Sequence, residues 1–149
     1  MKEFYPVDAE TIGEQYESGN ITAIHVVEHS LRKWEGMRRE NFERHKLVSP
    51  SYKDERWIEH KSPIKLDDST CSMCHAWFRP DYEDYDADPC ARCPLSIVRG
   101  HVSCDRVRGD EDFSPFYGAL DYGKPEPMIK WLKRALTYVK KHQNAEGIL

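Results

Sequence analysis

The chain has 149 residues, a formal charge of −4 and a hydrophobic fraction of 39%, with four tryptophans. This is enough apolar and aromatic material for one small core and argues against disorder, while the mild charge gives no general pull toward nucleic acid, membrane or anionic substrates. No apolar run approaches a membrane span, and Met1-Lys2-Glu3-Phe4-Tyr5-Pro6 has neither the basic flank nor the apolar stretch of a signal peptide, so a cytoplasmic location is expected.

Residues 1–19 form a lead-in with a short helix across Asp8 to Glu17, and Ser18-Gly19-Asn20 breaks it, with Asn20 placed to cap the next helix. From 21 to 47 there is no proline. Ile24, Val27, Leu31 and Phe42 fall on one face of a helical wheel, with Trp34 at its edge, so one long amphipathic helix is predicted over 21–47. Residues 48–70 carry Pro50 and Pro63 and read as an irregular segment, in which Trp57-Ile58 and Ile64-Lys65-Leu66 are short strands or anchored loops. The cysteine region, 71–104, comes next. A charged loop, Asp105 to Asp112, leads to Phe113-Ser114-Pro115-Phe116-Tyr117, which is expected to pack over a metal site. Lys124-Pro125-Glu126-Pro127 is a helix entry, since proline suits a first turn. The apolar stripe Met128, Trp131, Leu132, Ala135, Leu136 and Val139, ending in Lys140-Lys141-His142, predicts a helix over 125–143. The fold expected is one α+β, mostly helical domain over 1–149. Its long N-terminal and C-terminal helices bracket a treble-clef-like zinc-binding centre at 71–104.

All five cysteines lie in that centre, and an odd number in a reducing compartment speaks against a disulfide framework. Cys71-Ser72-Met73-Cys74 and Cys90-Ala91-Arg92-Cys93 give C-x2-C-x15-C-x2-C, a four-thiolate zinc spacing. Each pair offers two corners of a tetrahedron from one turn, and the intervening chain brings the second pair back to close it. Pro94, directly after Cys93, opens a short helix that ends at Gly100 and sets the second pair at a helix start. Cys104 is an alternative ligand in place of Cys90 or Cys93. His75 and His101 are neighbours of the site rather than ligands.

A closed four-thiolate site leaves no open position for Lewis-acid chemistry, so the zinc expected is structural. Pro89-Cys90-Ala91-Arg92-Cys93 matches half of the zinc-deaminase signature, but no His or Cys is followed two residues later by Glu, so the other half is missing. His25-Val26-Val27-Glu28-His29 spells the inverted zinc-protease motif. Both histidines fall away from the apolar face on the wheel, and ordinary solvent-facing histidines are expected there. Two C-x-x-C pairs at zinc spacing also argue against a thioredoxin-like redox role.

Arg32, Lys33, Arg38, Arg39, Arg44 and Lys46 interleave with Glu35, Glu40 and Glu43. The basic helix 32–46 is a candidate nucleic-acid face, weighed against a solvated face with internal ion pairs. Asp81, Glu83, Asp84, Asp86 and Asp88 alternate with Tyr82 and Tyr85, an acidic loop able to meet a basic partner or a divalent ion.

The helix segment from Ala23 to Glu35, the run Ser69-Thr70-Cys71-Ser72-Met73-Cys74, then Cys90-Ala91-Arg92-Cys93-Pro94-Leu95, Gly100, Cys104 and Ser114-Pro115-Phe116-Tyr117 follow one another in a familiar order. In that order the chain resembles a loose group of uncharacterised phage and prophage five-cysteine proteins across roughly residues 21–140. The resemblance implies a phage-related origin and an involvement of all five cysteines, but no activity. The function expected is therefore a small non-enzymatic, zinc-stabilised binding protein, a phage accessory factor acting on a host protein in the host cytoplasm. The candidate partner surface is Arg32, Arg38, Arg39, Arg44, Asp81, Glu83, Asp84 and Asp86. The alternatives are a nucleic-acid-binding zinc module and a small metal-dependent nuclease or hydrolase; the oligomeric state is left open.

Overall fold

The computed structural model describes residues 9–45, 71–84 and 86–146, with 39, 42, 45 and 143–146 described by backbone alone. The irregular segment 48–70, with the two short strands considered there, lies outside the described residues.

Helix α1, Ala9–Glu17, buries Ala9, Ile12 and Gly13. Ser18-Gly19-Asn20 closes this helix rather than opening the next. Gly19 has φ +78°, its N–H donates to Tyr16 O, and the Asn20 N–H reaches back to Gln15 O at 2.9 Å. This pair of bonds satisfies two end carbonyls through a left-handed residue that glycine adopts without a Cβ penalty. The cap of helix α2, Ala23–Gly36, is Thr22, whose hydroxyl accepts from the His25 N–H, so the expected role of Asn20 is corrected.

The single long helix expected over 21–47 is also corrected. The chain breaks at Met37-Arg38 and resumes as helix α3, Arg39–His45. Gly36 is a weak helix former, and Asn41 supplies a competing arrangement. Its side-chain amide donates to Glu35 O at 3.3 Å and Gly36 O at 3.1 Å, satisfying carbonyls that a continuous helix would have bonded itself.

Among the described residues four further helices follow: α4, Ser72–Trp77; α5, Pro94–Val98; α6, Pro115–Tyr122; and α7, Glu126–Glu146. Proline opens α5 and α6, and α7 carries the stripe read from the sequence. Among the described residues there is no strand, so the α+β assignment and the treble-clef-like centre are wrong. The reason lies between the cysteine pairs. Asp81 accepts from the N–H groups of Glu83 and Asp84, Asp84 from that of Asp86, and Asp88 from that of Cys90. Short polar side chains that bond neighbouring amides compete with a sheet ladder. Cys71 and Cys74, meanwhile, sit on a helix rather than in a hairpin knuckle.

The core is built on the pairing of α2 with α7. Val26, Val27, Leu31 and Trp34 join Met128, Ile129, Leu132, Ala135 and Val139 in one buried cluster. Helices α1 and α4 pack against each other and on α2, while α5 and α6 pack on α7. Covered from two sides, α2 buries a wider arc than one amphipathic stripe: His29, Ser30 and Lys33 are inside with the apolar residues. No described helix is long and apolar enough to cross a membrane.

Candidate metal centre

Each cysteine pair is placed by a short helix. Cys71 is the N-cap of α4 with extended backbone, and Cys74 lies one turn along it. The start of α4 is tied to α2 by Ser72, whose buried hydroxyl donates to Val26 O at 3.1 Å. Cys93 is the N-cap of α5, and its N–H donates to Cys90 O at 3.0 Å, closing a tight turn around the second pair. As the sequence predicts, Pro94 starts this helix and Gly100 ends it. Gly100 N–H donates to Ile97 O and His101 N–H to Ser96 O at 2.8 Å, with φ +72° and +66° at these two residues. The reversal brings the chain round to Cys104, whose carbonyl accepts from the Phe116 N–H at 2.9 Å at the start of α6. All five cysteines are unbridged and half-buried.

Their charges feel one another. The Cys74 S–H donates to Cys71 and, against the opposing effect of burial, holds the Cys71 thiol down at about 6; the Lys33 ammonium and the Met73 and Cys74 amides add to the effect. The same donation pushes the Cys74 thiol well up, followed by burial and by the charges of Cys71, Cys104 and Cys93. Burial raises Cys93 to about 12, opposed by the Ser96 amide. Burial also lifts Cys104 well above its usual value, reinforced by Cys71 and Cys93. Cys90 is pushed up to about 11 by burial and then by Asp88 and Asp105.

Among the described residues, no three His, Cys, Asp or Glu side chains already stand at ligating positions around one point. Thiols are the type of donor that zinc takes. Cys71 and Cys93 stand at helix N-caps, Cys74 one turn along α4, and Cys90 and Cys104 in loops, with Cys71, Cys93 and Cys104 packed against the one hydrophobic core. His101 is exposed, and His75 is half-buried with its Cβ close to where Gly13 lets α1 approach α4.

The other predicted residues are dispersed. Arg32 and Arg44 are exposed, with Arg44 bonded to the Asn41 side chain. The Arg39 side chain and Lys46 lie outside the described groups. Arg38 donates through Nε to Glu126 at 2.9 Å, fastening the α2–α3 junction to α7. Lys33, read as part of the basic face, is 1% exposed and acts on Cys71. His25 is exposed as expected, but His29 is buried because α2 is covered on two sides. In the acidic loop, Asp81 and Asp84 spend carboxylate oxygens on their own backbone, while Glu83 and Asp86 are exposed. Phe113 stacks on Tyr122 at 5.0 Å and carries Lys124 over its ring, so the aromatic segment meets the cysteine loop through the Phe116 backbone.

One polar cluster escaped sequence reasoning. The Arg99 side chain is 0% exposed and forms a two-pronged ion pair with Glu111, both N–O distances being 3.0 Å. It also donates to Val102 O and Arg106 O. Glu111 accepts from the Arg108 N–H, Arg108 Nε donates to Arg99 O, and the guanidinium groups of Arg99, Arg108 and Arg134 lie 4.7–5.3 Å from the centre of the Trp131 ring. Burial pushes the Glu111 carboxyl up, but the Arg99 and Arg108 donors outweigh it and hold the group below its usual value. The cluster locks the loop that bears Cys104. Its only sequence signal is an arginine before a helix-ending glycine, which says nothing of burial. An open cleft of about 420 Å³ beside it is lined by Glu111, Glu126, Pro127, Lys130 and Trp131.

Comparison with protein-family models, curated proteins and solved structures finds no match for this chain.

Proposed function

We propose that this protein is a small, non-enzymatic binding protein whose cysteine cluster holds a structural zinc ion. The observation that carries the reading is that all five thiols, from residues 71 to 104, are unbridged and half-buried, with Cys71, Cys93 and Cys104 packed against the same core. Zinc bound there by thiolates would supply folding free energy to a domain whose α4 and α5 are each too short to persist alone. The order of cysteines and helices, as in the phage group, supports a phage accessory factor that acts on a host protein in the host cytoplasm, where thiols stay reduced.

A binding role is supported by aromatic surface. Phe78 and Tyr82 stand exposed at the start of the acidic loop, Tyr82 at 77%, and Tyr117 and Tyr122 are exposed on α6. The test is enrichment from bacterial lysate on the zinc-loaded chain and on its Tyr82→Ser variant. A protein retained by the first and lost with the second supports the reading. Turnover of a substrate with no partner enriched contradicts it.

A further inference from the structure

The chain carries a formal charge of −4, yet one helix face is purely positive. From Pro127 to Ala145, α7 has five lysines and arginines and no acidic residue. At about 100° per residue, Lys130, Lys133, Arg134, Lys140 and Lys141 fall, together with Thr137, within a sector of about 120° opposite the stripe that packs on α2. All six are exposed. We infer that this face binds the phosphate backbone of nucleic acid. It is a different surface from the basic helix 32–46 read from the sequence, and it depends on α7 and not on a metal at the cysteines.

A solvated helix face ordinarily interleaves its charges, because residues three and four apart are neighbours and like charges there oppose the helix. Lys130 stands at those spacings from Lys133 and Arg134 with no carboxylate between them. Among the described residues, none of Lys130, Lys133, Lys140 and Lys141 has an ion-pair partner. The helices over 32–46 are the opposite case. There Arg38 is committed to Glu126 and Glu35, Arg44 to Asn41, and Lys33 lies inside. Arg134 lies 4.7 Å from the centre of the Trp131 ring and Arg108 5.3 Å, so the loop before α6 adds an exposed cation at the same ring. The two acidic groups in the cleft beside Lys130, Glu111 and Glu126, are already paired with Arg99 and Arg38.

The chemistry of the face selects the partner. Lys130 to Lys141 spans about 16 Å at about 1.5 Å per residue, and a duplex carries a charge about every 1.7 Å of its axis, so several phosphates come within reach. A helix that binds a membrane surface needs apolar side chains beside its cations to enter the lipid. Here Trp131, Leu132, Ala135 and Val139 are buried in the core, and the exposed sector offers only Thr137 among its cations. Protein interfaces are depleted in lysine, which supplies four of these five cations. Lysine and arginine contacts to phosphate position a nucleic acid without reading its bases, so sequence-independent binding is the mode this face supports.

The test is fluorescence anisotropy of a dye-labelled DNA of about 20 nucleotides, single-stranded and as a duplex, titrated with the full chain as purified. Binding of either form should weaken about tenfold for each doubling of salt, as release of counterions from about four phosphates requires. This readout needs no variant. Replacing Lys133, Lys140 and Lys141 together by glutamine keeps helix-forming side chains at exposed positions. It should weaken binding at least about tenfold at low salt and reduce the salt slope by roughly three. Arg32→Gln combined with Arg44→Gln, on the other basic helices, should leave binding within about twofold. The inference is overturned if neither DNA binds at low salt with the chain at about 100 μM, the weak limit of non-specific binding. It is also overturned if the two sets of substitutions weaken binding equally. Binding to phosphatidylserine–phosphatidylcholine vesicles or to polyglutamate, with neither DNA bound, overturns it in favour of a membrane or an acidic protein.

Discussion

Replacing Arg99 by methionine keeps the apolar length of a fully buried side chain but removes its guanidinium. The structure gives that group two bonds to Glu111 and one each to Val102 O and Arg106 O, and places it 5.1 Å from the centre of the Trp131 ring. Breaking one partner of a buried ion pair costs about 3–5 kcal/mol, because the remaining charge loses its compensation. Here the Glu111 side chain is 23% exposed and can recover some hydration, so the lower end, about 3 kcal/mol, is expected. At about 2–4 °C per kcal/mol for a chain of this size, Tm should fall by roughly 6–12 °C. The assay is thermal unfolding at saturating zinc for Arg99→Met, Glu111→Gln and the double variant. The two losses should be far from additive, with a coupling of at least about 1 kcal/mol. A loss below about 1 kcal/mol for Arg99→Met, or additivity within about 0.5 kcal/mol, would refute the claim that this pair locks the Cys104 loop. The pH dependence has a fixed sign. The folded carboxyl of Glu111 titrates below its usual 4.5, so its stabilising contribution is complete above that value. It is lost as pH falls through the lower, folded value. Glu111→Gln should therefore flatten the acid limb of the stability curve and leave the neutral and alkaline limbs unchanged in shape.

Other substitutions test the fold. In Gly13→Ala the new Cβ would meet His75 Cβ at 2.6 Å and the His75 carbonyl carbon at 3.2 Å, so α1 and α4 must part. Overpacking of about 1–3 kcal/mol should exceed the helix-propensity gain of about 1 kcal/mol, giving net destabilisation in urea. Thr22→Ala should cost about 1 kcal/mol as a lost N-cap, against less than about 0.5 kcal/mol for Asn20→Ala; the reverse order in urea midpoints would restore Asn20 as the cap. Leu132→Ala, at a position with 0% exposure in the α2–α7 pairing, should cost about 2–5 kcal/mol, and a loss below about 1 kcal/mol would show that this helix pair is not the core.

The features legible in the sequence are local. The α7 stripe, the proline at the start of α5 and its stop at Gly100 derive from periodicity and backbone chemistry, and the structure bears them out. The failures come from tertiary context. The wheel of α2 assumes one buried face, but that helix is covered by α7 on one side and by α1 and α4 on the other, so His29 and Lys33 go inside. The break at Met37 depends on Asn41 reaching back to two carbonyls, a bond that no window of hydrophobicity registers. Cysteine spacing alone suggests a strand-bearing zinc centre, yet spacing fixes only how far apart ligands are along the chain. The Asp side chains that occupy the amides of Glu83, Asp84, Asp86 and Cys90 decide that the connection turns instead of pairing. Likewise, the order of the five cysteines cannot reveal which of them pack on the core and which stands beside Asp88.

Whether these thiols bind zinc can be read without any substitution, by X-ray absorption at the zinc edge on the purified chain. One zinc per chain is expected, with four sulfurs at about 2.3 Å and no lighter ligand. A chain that holds no stoichiometric zinc, or holds it through three sulfurs and an oxygen, would contradict the closed structural site proposed for this protein.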